Sequence, residues 1–345
     1  MLSYLLKSIS VALFVMLILA ITWGGMEYYR FTTTPLNTGS GGMSYEVAPG
    51  MTLKKIAHDL QQRGMLSHAS YLVWLSYIQN KGRNVRVGEY TLKPGTTPPQ
   101  LLNQFTIGKV TEYTLTLVEG WTFRQVMDAI WRHEKLSHTL TRMDERAIMA
   151  QLGLAGQHPE GRFYPDTYHF PKGTTDVAFL QRAYRAMDQR LQQQWQKRSA
   201  GLPLRTPDEA LTLASIVEKE TGLASERPQI AGVFVRRLQI GMPLQTDPTV
   251  IYGMGSAFDG NLRRRDLQTD TPYNTYMHTG LPPTPIAMPG ADAIHAVLHP
   301  APGDALYFVA RGDGGHVFSA TLEQHNRAVF KYQLGGTHRA TEAAP

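Results

Sequence analysis

At 345 residues the chain is long enough for two or three domains of roughly 100–150 residues each. Hydrophobic residues make up 42% and charged residues 18%, a globular balance and not a disordered one. A net charge of +6 suits an anionic partner such as a phospholipid surface or a cell-wall polymer. The densest basic cluster is Arg263-Arg264-Arg265, expected in a solvated loop, so a nucleic-acid surface is excluded. With no cysteine, disulfides, Cys-zinc sites and thiol catalysis are excluded too.

From Ser8 to Met26 no residue is charged, and Val11 to Ile21 is almost wholly apolar. At about 1.5 Å per residue this stretch crosses a hydrocarbon core of roughly 30 Å. Trp23, Tyr28 and Tyr29 fall where an interfacial aromatic belt lies. No small-x-small cleavage site follows the apolar run, so the sequence predicts an uncleaved single-pass anchor and not a signal peptide. Lys7 and the free amine precede the span and favour residues 1–7 inside, although Arg30 on the far side weakens that vote. Residues 27–42, rich in Thr, Gly and Pro beyond position 31, are expected to form a linker.

A phrase then recurs. Pro49-Gly-Met-Thr52 and Pro94-Gly-Thr-Thr97 each lead into an amphipathic run, and Glu119-Gly-Trp-Thr122 is a looser third copy. Each predicts a strand, a tight glycine turn, a threonine N-cap and a helix, with Pro98 at the first helical position of the second. Val87 to Leu92 supplies a returning strand, so residues 43–110 form a β-α-α-β module that resembles a LysM-type domain, a fold that binds GlcNAc-containing glycans. Residues 111–335 form a second, mixed domain, with a helical middle (111–200) and a motif-rich core (206–335). Within the middle, 176–198 is a polar amphipathic helix expected to offer a solvated face. Residues 336–345 are a frayed tail. The fold class is α+β.

Several chemistries fail on spacing. His133-Glu134 and His138 miss the zinc-protease interval, Gly253-x-Gly255 lacks its third glycine, and neither a Walker sequence nor a Gly-x-Ser-x-Gly elbow occurs. No metal or cofactor is expected. The strongest local feature runs from Thr206 to Gly222. Thr206 and Glu209 make a capping box, Pro207 takes the first helical position and Gly222 is a natural stop. Leu211, Leu213, Ala214, Ile216 and Val217 cover most of the circumference, so the helix is buried, yet it ends in Glu218 and Glu220. Desolvation and the negative end of the helix dipole both raise a carboxyl pKa there. A carboxyl kept protonated near neutral pH is what general-acid cleavage of a glycosidic bond requires. The alternative is a structural carboxylate paired with Arg227, Arg236 or Arg237, and periodicity does not choose between the two glutamates.

Downstream, Tyr252, Tyr273 and Tyr276 with Gln245, Thr249 and Asn274 are the flat faces and polar groups that sugar rings require. Pro282, Pro283, Pro285 and Pro289 would stiffen the loop that follows.

These residues carry a resemblance. Ala214-Ser-Ile-Val-Glu-Lys-Glu-Thr221, Val233-Phe-x-x-Arg-Leu238, Leu244-Gln-Thr-Asp-Pro-Thr-Val-Ile-Tyr-Gly253, Tyr273-Asn-Thr-Tyr276 and Gly280-Leu-Pro-Pro283 look like the endolytic murein transglycosylases, as does Glu160-Gly-x-x-x-Pro-Asp-Thr-Tyr168. The resemblance covers nearly the whole chain. This chain has Met288-Pro-Gly290 where many members have Asn-Pro-Gly. The resemblance implies that Glu218 is the essential acid, with Glu220 in support. It implies a bacterial inner-membrane enzyme, its bulk periplasmic, that cuts peptidoglycan glycan strands beside the synthases. Gln245, Asp247, Tyr273 and Asn274 are its expected substrate-positioning residues. Two alternatives stay open: a lysozyme-like hydrolase in which Glu220 or Asp247 activates water, and a non-catalytic peptidoglycan-binding scaffold.

Overall fold

The computed structural model describes residues 2–82 and 85–334, so the tail expected over 336–345 lies outside the described residues. The chain divides into two compact units, one of residues 1–113 with 169–173, the other of 114–168 with 174–345.

The first unit begins with α1 (Leu2–Thr33), of which Lys7–Thr33 is long and apolar enough to cross a membrane. Then follow β1 (Met43–Val47), α2 (Leu53–Gln62), α3 (Ala69–Ile78), β2 (Gly88–Leu92) and α4 (Pro98–Ile107). β1 and β2 pair antiparallel from Met43↔Leu92 to Val47↔Gly88, closing the β-α-α-β order. Their inward side chains Tyr45, Val47, Tyr90 and Leu92 meet Ile56 and Leu60 of α2, Leu72 and Leu75 of α3, and Phe105 of α4 in one core. Burying each large side chain contributes roughly 1.5–3 kcal/mol. The stretch expected as a linker is different. Residues 27–33 continue α1, and Phe31 and Leu36 are buried in the same core, with Leu36 N donating to Thr96 O (2.8 Å). Apolar side chains at 31 and 36 override the turn-rich composition around them.

In the second unit α5 (Phe123–Arg132) starts after the third copy of the recurring phrase. Its cap is reciprocal, as Thr122 N donates to Gln125 Oε1 (2.8 Å) and Gln125 N to Thr122 Oγ1 (3.4 Å). The glycines of the three copies share one geometry, with φ of +80° at Gly50, +86° at Gly95 and +77° at Gly120. That conformation explains why glycine recurs before each capped helix.

The middle segment is not wholly helical. β3 (Glu112–Thr116) pairs with β5 (Thr167–Pro171), and β4 (Leu136–Ser137) pairs in parallel with β6 (Thr174–Thr175), with α6 (Glu145–Gln151) between. The long helix α7 (Asp176–Gln196) buries Phe179, Leu180, Ala183, Met187 and Leu191, so it is a core helix with one wet face. Asp176 is fully buried because the N–H groups of Thr139 and Leu140 (2.9 Å each) satisfy its carboxylate.

α8 (Pro207–Glu220) is the centre of this unit. Thr206 Oγ1 accepts from Glu209 N (3.2 Å), and every residue from Ala210 to Val217 is buried. α7, α9 (Arg227–Gln239), α10 (Asp247–Met254) and α12 (Ala291–Leu298) pack around it. The arginine cluster is not a simple loop, since Arg264–Leu267 forms the short helix α11, preceded by a bidentate Arg263–Asp259 pair (2.6 and 3.2 Å). The hairpin of β7 (Tyr307–Ala310) and β8 (His316–Ser319) and the helix α13 (Leu322–Tyr332) complete the unit.

Candidate active site

A helix buried along its length can still deliver polar groups at its end, and α8 does so on two sides. Glu218 and Glu220 are two positions apart, about 200° around the helix axis, and their carboxyls enter different surroundings.

Glu218 faces the N-terminus of α12. Its Oε1 accepts from Arg227 Nη2 (2.9 Å) and its Oε2 from the N–H of Gly290, the N-cap of α12 (2.9 Å). The side chain is 5% exposed. Arg227 also faces Glu119 Oε2 and Asp292 Oδ2, each at 3.6 Å, so one guanidinium is shared by three carboxylates. Burial pushes the Glu218 carboxyl above its ordinary pKa, the Gly290 N–H and Arg227 pull it back, and Glu119 and Asp292 add to the rise. Of the three arginines considered as partners, Arg227 is the one that pairs with Glu218. Arg236 donates to the carbonyls of Ala305 and Ala301 (2.7 and 3.2 Å).

The surrounding loops are tied to α8. Ser215 Oγ accepts from Ile286 N (2.9 Å), which fixes the proline-rich loop. Met288 is fully buried, and its main chain pairs with Trp121 O (2.7 Å) and Gly120 N (2.8 Å). The departure from Asn-Pro-Gly therefore falls where the main chain makes the contacts. Gly161 has φ of +78°, and a Cβ there would lie 2.5 Å from Pro285 Cβ, which accounts for the glycine of the Glu160-Gly161 pair.

Glu160 itself is 3% exposed and accepts from Phe123 N (2.9 Å) at the start of α5. Burial lifts its carboxyl from 4.5 to about 7, against the Phe123 N–H and the Tyr252 hydroxyl. A raised folded pKa means stability is fully present below the unfolded value and is lost as pH rises through the folded one. A rise from 4.5 to about 7 corresponds to roughly 3 kcal/mol at most. Urea unfolding at pH 5 and pH 8 should therefore show the wild-type chain losing stability relative to Glu160→Gln. An equal pH dependence in both chains would contradict this.

Glu220 lies on the other side of α8. Its Oε1 accepts from Thr246 Oγ1, and it lines a cavity of about 470 Å³ with Gln245, Asp247, Tyr276, Arg237 and His316. Burial lifts its carboxyl from 4.5 to about 7. Tyr276 donates its hydroxyl to Asp247 Oδ1 (2.6 Å). Gln245 holds a left-handed backbone (φ +50°), unusual for a non-glycine residue. His316 is anchored by Glu226, which accepts its backbone N–H (2.9 Å) and contacts its Nδ1 (2.7 Å).

The residues expected to hold a sugar thus separate. Gln245, Asp247 and Tyr276 share the Glu220 cavity. Tyr252 and Tyr273 contact each other edge-on (centroids 4.9 Å), and Tyr273 pairs its hydroxyl with Thr284 (2.8 Å). Thr249 and Asn274 are fully buried. Thr249 Oγ1 bonds Thr246 O (2.8 Å) and pairs with the Thr275 hydroxyl (2.9 Å), while Asn274 Nδ2 donates to Thr269 O (2.7 Å) and Leu267 O (3.0 Å). Their hydrogen-bonding groups are engaged within the protein, where they tie neighbouring loops together. Sequence reasoning missed Asp292, Gly290 N and His316 as neighbours of the two glutamates. Glu119 was visible only as part of the recurring phrase. Among the described residues no cluster of three or more His, Asp or Glu side chains could hold a metal ion.

Residues 45–331 match the profile of the YceG-like family. An endolytic murein transglycosylase of Bacillus subtilis is 30% identical over 335 residues, covering 90% of this chain and 91% of that protein. One from Streptococcus pneumoniae is 28% identical, and its alignment takes in 94% of this chain but only 64% of the streptococcal protein. The crystal structure of a putative YceG-like protein from Listeria monocytogenes matches with a TM-score of 0.55 and 31% identity, covering 84% of this chain and 99% of that one.

Proposed function

The chain belongs to the YceG-like family, and on that premise we propose that it is an endolytic murein transglycosylase, a lyase that cuts peptidoglycan glycan strands at internal bonds. The observation that carries the assignment of roles is the double hold on Glu218. An acid/base must be able to keep a proton and to lose it. Burial favours the protonated carboxyl, while Arg227 and the Gly290 N–H favour the carboxylate, so neither form is inaccessible.

In this account the Glu218 carboxyl gives its proton to the oxygen of the MurNAc–GlcNAc β-1,4 bond as that bond breaks. The resulting carboxylate takes the proton from the C6 hydroxyl of the same MurNAc, whose oxygen attacks C1. A 1,6-anhydro ring closes, no water is consumed, and Glu218 returns to its protonated form. One carboxyl suffices, unlike the paired carboxylates of ordinary glycosidases. α1 anchors the enzyme in the cytoplasmic membrane with its bulk outside, which suits a partner role beside the synthases that extend glycan strands. The β-α-α-β module is the natural place for LysM-like contact with GlcNAc.

A second reading draws on the cavity across α8. There Glu220, raised to about 7, lies near Asp247, a carboxyl pair of the kind a hydrolase uses. Product chemistry separates the two. Uncrosslinked glycan strands incubated with the chain should yield internal cuts whose new ends are lighter by one water than hydrolysis products. Reducing ends would mean the hydrolase, and no cleavage would mean a peptidoglycan-binding scaffold.

A further inference from the structure

The helix α3 buries Ala69, Leu72, Leu75 and Ser76 in the first unit's core. Its other face shows Trp74, Tyr77 and Ile78, which are 62%, 75% and 55% exposed. Single exposed apolar residues are ordinary. Here, however, Trp74 and Ile78 continue the surface of α1, with Tyr77 exposed beside them. Trp23, Gly25 and Tyr28 of α1 and Tyr71, Trp74 and Ile78 of α3 line one apolar cleft of about 460 Å³. The two helices are held together at that point, with Phe31 of α1 buried in the unit's core and packed edge-on against Tyr71 at 5.4 Å.

The depth of this cleft follows from the span. Counted from Lys7, a hydrocarbon core of roughly 30 Å takes about 20 helical residues, which ends near Met26. Trp23 and Tyr28 therefore bracket the boundary where tryptophan and tyrosine are favoured. Residues of α3 that line the same cleft lie at the same level. Gly24 and Gly25 present no side chain and have open space beside them. The opening they leave is mostly apolar, with Glu27 of α1 the one charged residue on its lining.

We propose that α3 is a second membrane contact: Trp74, Tyr77 and Ile78 sit in the headgroup layer of the outer leaflet, and lipid acyl chains enter the cleft between α3 and α1. This rests on the reading that α1 crosses the membrane. The occupant is phospholipid because the patch is continuous with a lipid-facing helix at the lipid boundary. The first unit is then fixed on the bilayer surface and does not swing on a tether, consistent with the burial of Phe31 and Leu36 where a linker was expected.

The chain has no cysteine, so single cysteines can carry a polarity-sensitive fluorophore without other changes. Full-length chains with Leu17→Cys, Tyr77→Cys or Lys54→Cys, labelled and reconstituted in phosphatidylethanolamine–phosphatidylglycerol vesicles, give three readings. Leu17 lies within the span, and Lys54 is exposed on α2. The expected result is blue-shifted emission at 17 and 77, loss of the 77 signal with lipids spin-labelled near the headgroup, and an aqueous spectrum at 54. A probe at 77 that behaves like the one at 54, while 17 is blue-shifted, overturns the proposal and leaves that face to a protein partner. An aqueous spectrum at 17 overturns the membrane anchor itself, and this proposal with it.

Discussion

Arg237→Met is expected to lower the stability of the second unit by about 3–5 kcal/mol, read as a shift of the urea midpoint. Arg237 is 7% exposed, and its Nε donates to Leu306 O (2.7 Å) while Nη1 donates to Leu244 O (2.8 Å) and Pro243 O (3.1 Å). Methionine can replace the aliphatic stem but none of these donors. Three main-chain carbonyls would lose their partner, and an unsatisfied buried acceptor costs about 1–3 kcal/mol. The loop released carries Gln245 and Asp247, whose positions then depend on Gln245 N donating to Thr275 O (3.0 Å). Arg265→Met, at a side chain 76% exposed, should stay within about 0.5 kcal/mol of wild type. Equal midpoints for the two variants would show that Arg237 organises nothing.

How much of this was legible in the residues varies with the range of the interaction. The threonine caps at 52 and 122, the glycine turns before them and the burial of α8 are local matters of spacing and propensity. The strand before the third copy was expected, but those between 136 and 175 were not visible, because two- to five-residue strands carry too little period-2 pattern to compete with helical neighbours. The hydrogen bonds of Thr249 and Asn274 to loop carbonyls were not legible either, because composition cannot tell a hydroxyl or amide engaged within the protein from one facing a cleft. The partners of Glu218, Arg227 and Gly290, and the Glu119 carboxylate that shares Arg227, come from separate stretches, and only the fold brings them together. Helical periodicity put Glu218 and Glu220 in equivalent apolar settings. What differs is what each meets, a guanidinium and a helix N-terminus for one, a threonine hydroxyl and a tyrosine-lined cavity for the other.

Glu218→Gln should reduce glycan cleavage by about 10²–10⁴-fold, the range lost with a general acid/base. The amide keeps the shape of the protonated carboxyl but can neither give the proton nor take it back. Arg227 retains Glu119 and Asp292 at 3.6 Å, so its charge is not stranded and the fold should persist. Because burial raises the Glu218 carboxyl, the wild-type contribution from this group is fully present below about 4.5 and fades as pH rises through the folded value. The variant should therefore gain stability relative to wild type on going from acid to neutral pH. The most direct measurement is cleavage of nascent glycan strands by Glu218→Gln and Glu220→Gln side by side, each first shown to be folded. The Glu218 variant is expected to lose strand cutting altogether within the assay's range. A Glu218→Gln chain that cuts at the wild-type rate, with Glu220→Gln inactive, would move the acid to the other side of α8 and contradict it.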